Sequence, residues 1–160
     1  MDRRILLITA LLFLPPATRA AGDAPLDRAT LRGLQGVGVV LDVLDPEIEK
    51  LGITRDVVLS RLMARLHRDR ITINPGATEF VGLRITAVHG SRGPFALSLT
   101  IGLYQPVLLS RNHDLRTSTQ TWEVETVLIA EAKMLGTACA ETADDLAGRF
   151  AAAYHSVNPE

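Results

Sequence analysis

The sequence predicts an α+β two-layer sandwich, in which two helices cover one face of a four- to five-stranded mixed sheet. The stretch from Phe95 to Leu109 alternates apolar residues with small or polar ones, as a long half-buried strand does. Residues 80–88 and 121–129 alternate in the same way. The segments that begin at Thr54 and Thr142 instead carry apolar residues at helical spacing. The predicted element order is therefore β-α-β-β-β-α.

The first half of the predicted domain is a strand, a helix and a short second strand. Apolar residues alternate over 37–44, and Asp45-Pro46 ends this strand. Thr54 is a favourable N-cap for the helix that follows. The short strand lies at 71–73, before the turn sequence Asn74-Pro75-Gly76. A crossover from the first strand to the short one is expected to be right-handed.

The second half is predicted as a meander of three strands followed by a helix. The strands are 80–88, 95–109 and 121–129, and residues 110–120 form a long polar loop between the last two. Pro106 is expected just beyond the end of strand 80–88, where its missing N–H breaks no ladder. Residues 131–140 are predicted to be irregular, and Thr142 with Asp145 resembles a capping box at the start of the last helix.

The amino terminus has the pattern of a secretory signal peptide. Arg3 and Arg4 precede an apolar run, Ile5 to Leu14, whose length is that of a signal peptide and too short for a membrane span. We expect a signal peptide at 1–21, a polar leader at 22–33 and a single domain at 34–160. A retained amino-terminal anchor is the alternative. The expected location is periplasmic or secreted, without a lipid anchor, because no Cys lies near the cleavage site.

Charge and cysteine content exclude several classes of function. The formal net charge is −1 and becomes more negative after loss of the basic signal peptide, which argues against a general nucleic-acid binder. No second long apolar run exists, so we expect no membrane span in the mature chain. Cys139 is the only Cys, so it has no partner for an internal disulfide, and it has no basic neighbour in sequence to lower its pKa.

The sequence lacks the common dinucleotide-binding, serine-hydrolase and histidine metal-site motifs. Gly36-Val37-Gly38 precedes a strand, whereas a dinucleotide fingerprint follows one. There is no G-x-S-x-G, and the four His residues show no metal-ligand spacing. We therefore expect no cofactor, no resident metal and no enzymatic activity. Trp122 is expected to be a core anchor.

Four groups of polar residues are candidates for binding. One is the uncovered face of the sheet, one is an arginine stripe on the first helix, one is the polar loop, and one is an acidic cluster that is a candidate site for a divalent ion together with His113. In that order, the residues are Arg84, Ser98, Thr100, Tyr104 and Glu123, with Glu125; Arg61, Arg65 and Arg68; Asn112, His113 and Asp114; and Asp42, Asp45, Glu47 and Glu49.

Three segments resemble a group of exported bacterial proteins that have no assigned function. They are GVGVVLDVLDPE from Gly36, VLLSRN from Val107 with Thr121-Trp122 after it, and the ending FAAAYHSVNPE. The element order is also similar to that of envelope modules such as the lipopolysaccharide-assembly lipoprotein and the amino-terminal domain of TolB. The resemblance implies an envelope location and carries no catalytic residue.

The expected function is that of a non-catalytic envelope module that binds a protein or another envelope component. The uncovered sheet face or an edge strand would form the contact, for example by strand addition. Two alternatives remain open. One is a binder of small anions or lipid headgroups that uses the arginine stripe, and the other is a metal-dependent hydrolase built from the acidic cluster and His113.

Overall fold

The computed structural model describes residues 22–88 and 94–159. The predicted signal peptide at 1–21 and the glycine-containing hairpin loop at 89–93 lie outside the described residues. The helices are α1 (Pro25–Ala29), α2 (Pro46–Lys50), α3 (Arg55–Arg68) and α4 (Leu135–Val157), with a 3-10 turn at Ala132–Met134 before α4. The strands are β1 (Gly38–Leu41), β2 (Phe80–Val88), β3 (Phe95–Leu109) and β4 (Asn112–Ala130).

The four strands form one mixed sheet in the order β1-β2-β3-β4, which confirms the predicted fold class. β1 runs parallel to β2, while β2–β3 and β3–β4 are antiparallel. The predicted short strand at 71–73 contributes only a bridge between Val37 and Ile73, so the crossover from β1 leads to β2. Phe80 pairs with Tyr104, so Pro106 lies beyond the end of β2, as predicted.

The core lies between the helices and one face of the sheet. The inward row of β3 is fully buried at Leu97, Leu99, Ile101 and Leu103. It packs in one cluster with Leu62 and Leu66 of α3 and with Leu146 and Phe150 of α4, among others. Both long helices therefore cover the same face, and burial of their apolar stripes is the main stabilising contribution.

The prediction that the last helix begins at Thr142 is wrong, because α4 begins at Leu135. Gly136, within the residues predicted to be irregular, lies in the first turn of this helix. A Cβ at this position would lie 3.0 Å from the carbonyl oxygen of Gly52, so the glycine allows close approach to the loop before α3. Thr142 does not cap the helix, since its hydroxyl donates to the Ala138 carbonyl within it at 2.8 Å.

The segment predicted as a polar leader, 22–33, packs on the domain. It contains α1, and Leu31 is fully buried in the core. The Gly33 N–H donates to the Asn158 side chain at 2.7 Å, which links the segment to the end of α4. Polar composition concealed this role because a single apolar residue, Leu31, makes the core contact.

The prediction of a loop at 110–120 is also wrong. Residues 112–120 belong to β4, and only Ser110 and Arg111 form the turn after β3. We call residues 104–109 of β3 together with 112–120 of β4 the ribbon. It extends beyond β2, and residues 112–119 are exposed, so the apolar alternation that identifies a half-buried strand is missing. Register shifts follow Leu103 and Leu108, which places Thr121 and residues 113–115 in bulges.

Candidate functional site

The face of the sheet opposite the helices carries most of the predicted binding residues. We call it the open face. Side chains alternate along each strand, so the residues paired with the buried rows point inward and the residues between them point outward. The structure places Arg84, Ser98, Thr100, Tyr104 and Glu123 together on this face, as the sequence predicted. Its further members are Val40, Phe80, Gly82, Thr86, Gly102, Gln120, Glu125, Val127 and Ile129.

The centre of the open face is built from an aromatic pair above a glycine. The rings of Phe80 and Tyr104 stack with centroids 5.0 Å apart and planes within 5°. A Cβ at Gly82 would lie 2.9 Å from the Tyr104 ring, so the missing side chain lets this ring lie on the sheet. The Gln120 side chain covers Gly102 in the same way. The two glycines therefore hold Tyr104 and Gln120 close to the backbone of the sheet.

Charged residues surround this centre. Arg84 donates to the Asp42 carboxylate at 2.9 Å. The hydrogen bond to Asp42 is the main reason that the pKa of Arg84 lies above its ordinary value. Ser98 donates to Glu125, and Gln120 donates to Glu123. The acids of β4 thus bond to uncharged donors, whereas Arg84 forms an ion pair with Asp42.

Large apolar side chains are also exposed on this face. Val40, Leu108, Val127 and Ile129 are 40, 54, 64 and 72% exposed. Leu108 belongs to the face because it pairs with Arg116 on the outward side of the ribbon. Alternating polarity in the sequence pointed to Ser98 and Thr100 but not to these four residues. The signal that would have identified them is an apolar residue at an outward position of a predicted strand.

Both edges of the sheet carry caps that oppose strand addition. Arg55 donates to the Leu41 carbonyl at the β1 edge at 2.9 Å. At the β4 edge, the Glu123 N–H donates to the Gly22 carbonyl at 3.2 Å, and Arg149 donates to the Glu125 carbonyl at 3.3 Å. Free edge groups are templates for another chain. The caps therefore leave the open face, not the edges of the core sheet, as the more accessible contact surface.

The arginine stripe on α3 is largely engaged within the protein. Arg65 donates to Asp69 at 2.5 Å and to Asp144 of α4 at 2.7 Å, and Arg68 reaches Asp144 at 3.3 Å. These bonds, with that to Asp69 foremost, place the pKa of Arg65 above its ordinary value. Of the three, only Arg61 has no acidic partner among the described residues. The stripe therefore joins α3 to α4 and presents less free positive charge than its sequence implies.

The polar residues that were predicted to lie in a loop are at the tip of the ribbon. Asn112, His113 and Asp114 are exposed, and the Asp114 N–H donates to the Asn112 side chain at 3.0 Å. The structure does not bring them to the acidic cluster near β1. In that cluster, Asp45 caps α2 through the Glu47 N–H and Glu47 pairs with Lys50. Within the described residues, no three His, Cys, Asp or Glu side chains are placed to hold a metal ion.

Trp122 and Cys139 are both buried in the core of the domain. Trp122 is buried, packs edge-on against Phe150 at 5.3 Å, and donates from its indole N–H to Asp23 at 2.8 Å. This confirms the predicted core anchor. Cys139 is also buried, and desolvation raises the pKa of its thiol to about 11. The thiol therefore stays protonated near neutral pH and is a poor nucleophile.

A shallow polar cleft lies at another side of the domain. Its volume is about 510 Å³, and backbone around Gly33, Gly36 and Gly76 lines it together with Arg32 and Gln105. Arg32 is its only lysine or arginine side chain. None of the residues predicted to bind lies in it. The open face thus remains the place where the predicted binding residues converge.

No family model matches the chain, and no curated protein matches it either. A PelC dodecamer from Paraburkholderia phytofirmans is similar at 13% identity and a TM-score of 0.36, over 74% of this chain and 85% of that one. A minor lipoprotein from Acinetobacter baumannii is similar at 11% identity and a TM-score of 0.29, over 74% and 92% of the two chains. Likenesses this distant identify no function for this chain.

No helix in the described part of the chain has the length and apolar character needed to cross a bilayer.

Proposed function

We propose that this chain is a non-catalytic binding module of the bacterial cell envelope, exported to the periplasm or beyond, and that it contacts its partner through the open face. The observation that carries the proposal is the exposed set Val40, Leu108, Val127 and Ile129 on the one sheet face that the helices leave uncovered. A face that exposes large apolar residues beside charged and aromatic ones has the mixed composition of many protein contact surfaces. The envelope location rests on the signal-peptide pattern and on the sequence resemblance.

The aromatic centre favours binding over catalysis. Tyr and Phe supply large contact areas at a low cost in side-chain entropy. The Tyr104 ring stacks on Phe80 and lies over Gly82, so little ordering of this side chain remains to be done when a partner binds. The Arg84–Asp42 pair lies at the rim, where we expect it to tune specificity more than affinity.

Site-specific photo-crosslinking in the producing cells tests the proposal. A crosslinking residue at Thr100, in the middle of the open face, is expected to give a discrete adduct in the envelope fraction. The matched control is Ser60, which is exposed on α3 at the other side of the molecule. Tyr104→Ala and Arg84→Ala are expected to reduce the adduct several-fold. Identical adducts from both positions, or no adduct from Thr100, would contradict a binding role for this face.

A further inference from the structure

We infer that the partner of the open face is a second copy of this chain, bound face to face, with the ribbon of each copy over the acid-bearing end of the other. The inference rests on the proposed function and names its partner. Two surfaces of the same molecule carry it. One is the outward side of the ribbon, with Leu108 and Arg116, and the other is the outward side of β4 from Glu123 to Ile129.

The two surfaces have complementary charge. The ribbon carries Arg116, with Arg111 in the turn at its tip, while β4 carries Glu123 and Glu125 on the open face. Within the described part of the chain, none of these four residues forms an ion pair, in contrast to Arg84 and the α3 arginines. Asp114 and His113 also lie at the ribbon tip, so the attraction comes mainly from Arg116 and Arg111. Unpaired charges of opposite sign select an orientation between two faces.

Both surfaces also expose aliphatic side chains beside their charged residues. Leu108 lies beside Arg116 on the ribbon, and Val127 and Ile129 follow the two glutamates on β4. Each surface therefore combines arginine or glutamate with exposed aliphatic side chains. Burial of such side chains contributes about 25 cal/mol per Å² of apolar area removed from water.

Both surfaces lie on the same side of one continuous strand, toward its opposite ends, so they cannot meet within one molecule. A two-fold axis through the middle of β4 brings them together between two copies. Gln120 lies four residues after Arg116, and Glu123 and Glu125 lie three and five residues after Gln120. An axis near Gln120 therefore places Arg116 of each copy opposite the glutamates of the other, twice. Such an isologous contact closes as a dimer.

The available area suits a reversible dimer. With the axis near Gln120, which pairs with Tyr104, only residues 99–109 of β3 overlap in the two copies, so the contact is about 35 Å long, and two to three strands make it about 12 Å wide. That gives on the order of 400 Å² per copy, about half the ~800 Å² per partner of a standard interface, so the dimer is expected to be weak. Two stacked sheets pack with their strands within about 30° of each other.

Charge reversal tests the contact by sedimentation velocity on the purified chain. The ribbon variant is Arg111→Glu with Arg116→Glu, and the acidic-end variant is Glu123→Arg with Glu125→Arg. The wild type is expected to dimerise reversibly with no larger species. Each variant alone is expected to dimerise at least tenfold more weakly, because like charges then face each other twice. An equimolar mixture is expected to recover the dimer, because both contacts are attractive again.

Arg61→Glu is the control, since it reverses an exposed arginine on α3 and is expected to leave the dimer unchanged. Thermal unfolding verifies that each variant is folded, and Glu125→Arg alone replaces the acidic-end variant if that one fails to fold. A wild type that stays monomeric at all concentrations overturns the inference, as does an acidic-end variant that dimerises normally or a mixture that shows no recovery.

The same measurements separate this inference from the proposed function. If the wild type is monomeric while the Thr100 adduct contains a different envelope component, self-association fails and the binding role of the open face stands. If Thr100 gives no adduct and the chain is monomeric, both fail.

Discussion

The two sides of β3 differ in burial and in the chemistry of their side chains. Its inward residues, Leu97 to Leu103 at alternate positions, are fully buried under α3 and α4. Its outward residues, such as Ser98, Thr100 and Tyr104, belong to a face that no described helix covers. The inward side has one apolar chemistry throughout, while the outward side mixes charge, an aromatic pair and isolated aliphatic residues. One strand thus provides stability on one side and a surface for recognition on the other.

The largest expected difference between the two sides is at neighbouring residues of β4. Trp122→Ala is expected to lower the free energy of unfolding by about 3–5 kcal/mol, because it leaves a cavity against Phe150. Glu123→Ala, the next residue but on the open face, is expected to change it by less than about 0.5 kcal/mol. Urea unfolding of both variants measures the contrast. Similar losses in the two variants would show that the open face also stabilises the fold.

A smaller loss of stability is expected from substitution of Asp23, in the segment 22–33 that packs on the domain. Asp23 accepts hydrogen bonds from Arg28 and from the Trp122 indole. Asp23→Ala leaves the indole N–H unpaired and is expected to cost about 1–3 kcal/mol at pH 7. Urea unfolding at neutral pH, with Asp23→Asn as the control that retains an acceptor oxygen, measures this cost.

The cost of Asp23→Ala is also expected to depend on pH. Desolvation raises the pKa of Asp23, but the hydrogen bonds from Arg28 and Trp122 outweigh it, so the pKa lies below its ordinary value. The stabilisation that comes from its charge is complete above the unfolded-state pKa of about 3.9 and is lost as pH falls through the lower folded-state value. The difference between wild type and variant should therefore shrink below about pH 4. A difference that grows in acid would contradict this assignment.

The smallest expected effect concerns the centre of the open face. Gly82→Ala would press a methyl group against the Tyr104 ring and is expected to cost about 1 kcal/mol. Tyr104→Ala removes the obstacle, so the double variant should be more stable than the sum of the two single effects predicts. Unfolding free energies of the three variants complete the cycle. Additive effects would mean that Tyr104 does not rest on Gly82.

Sequence periodicity located the elements that bury one side. The bounds of β2 and β3 are those predicted, and the end of β4 lies one residue beyond its predicted end at 129. Each of these segments alternates between a buried and an exposed row of side chains. Helix α3 begins at Arg55 after Thr54, as the N-cap preference indicated. The same alternation predicted that Arg84, Ser98, Thr100, Tyr104 and Glu123 share one face of the sheet, and their role in binding stays a prediction.

Sequence periodicity did not identify the segments in which neither face is buried or only a single residue is buried. Residues 112–119 of the ribbon are exposed, so their sequence resembles that of a polar loop, although the threonines among them favour a strand. The segment 22–33 reads as a leader because its single core contact, Leu31, has no periodic neighbours. Gly136 reads as a helix breaker because its close approach to Gly52 is a tertiary contact.

The sequence by itself determined the fold class, the buried rows and the side of the sheet that stays polar, because alternation and helical spacing are local consequences of burial. Only the tertiary structure decided what these surfaces present. It neutralised Arg65 and Arg68 with Asp144, and it capped both edges of the sheet. It also placed Leu108 on the same face as Val127 and Ile129. Those outcomes depend on strand register and helix packing, which bring together residues far apart in the chain.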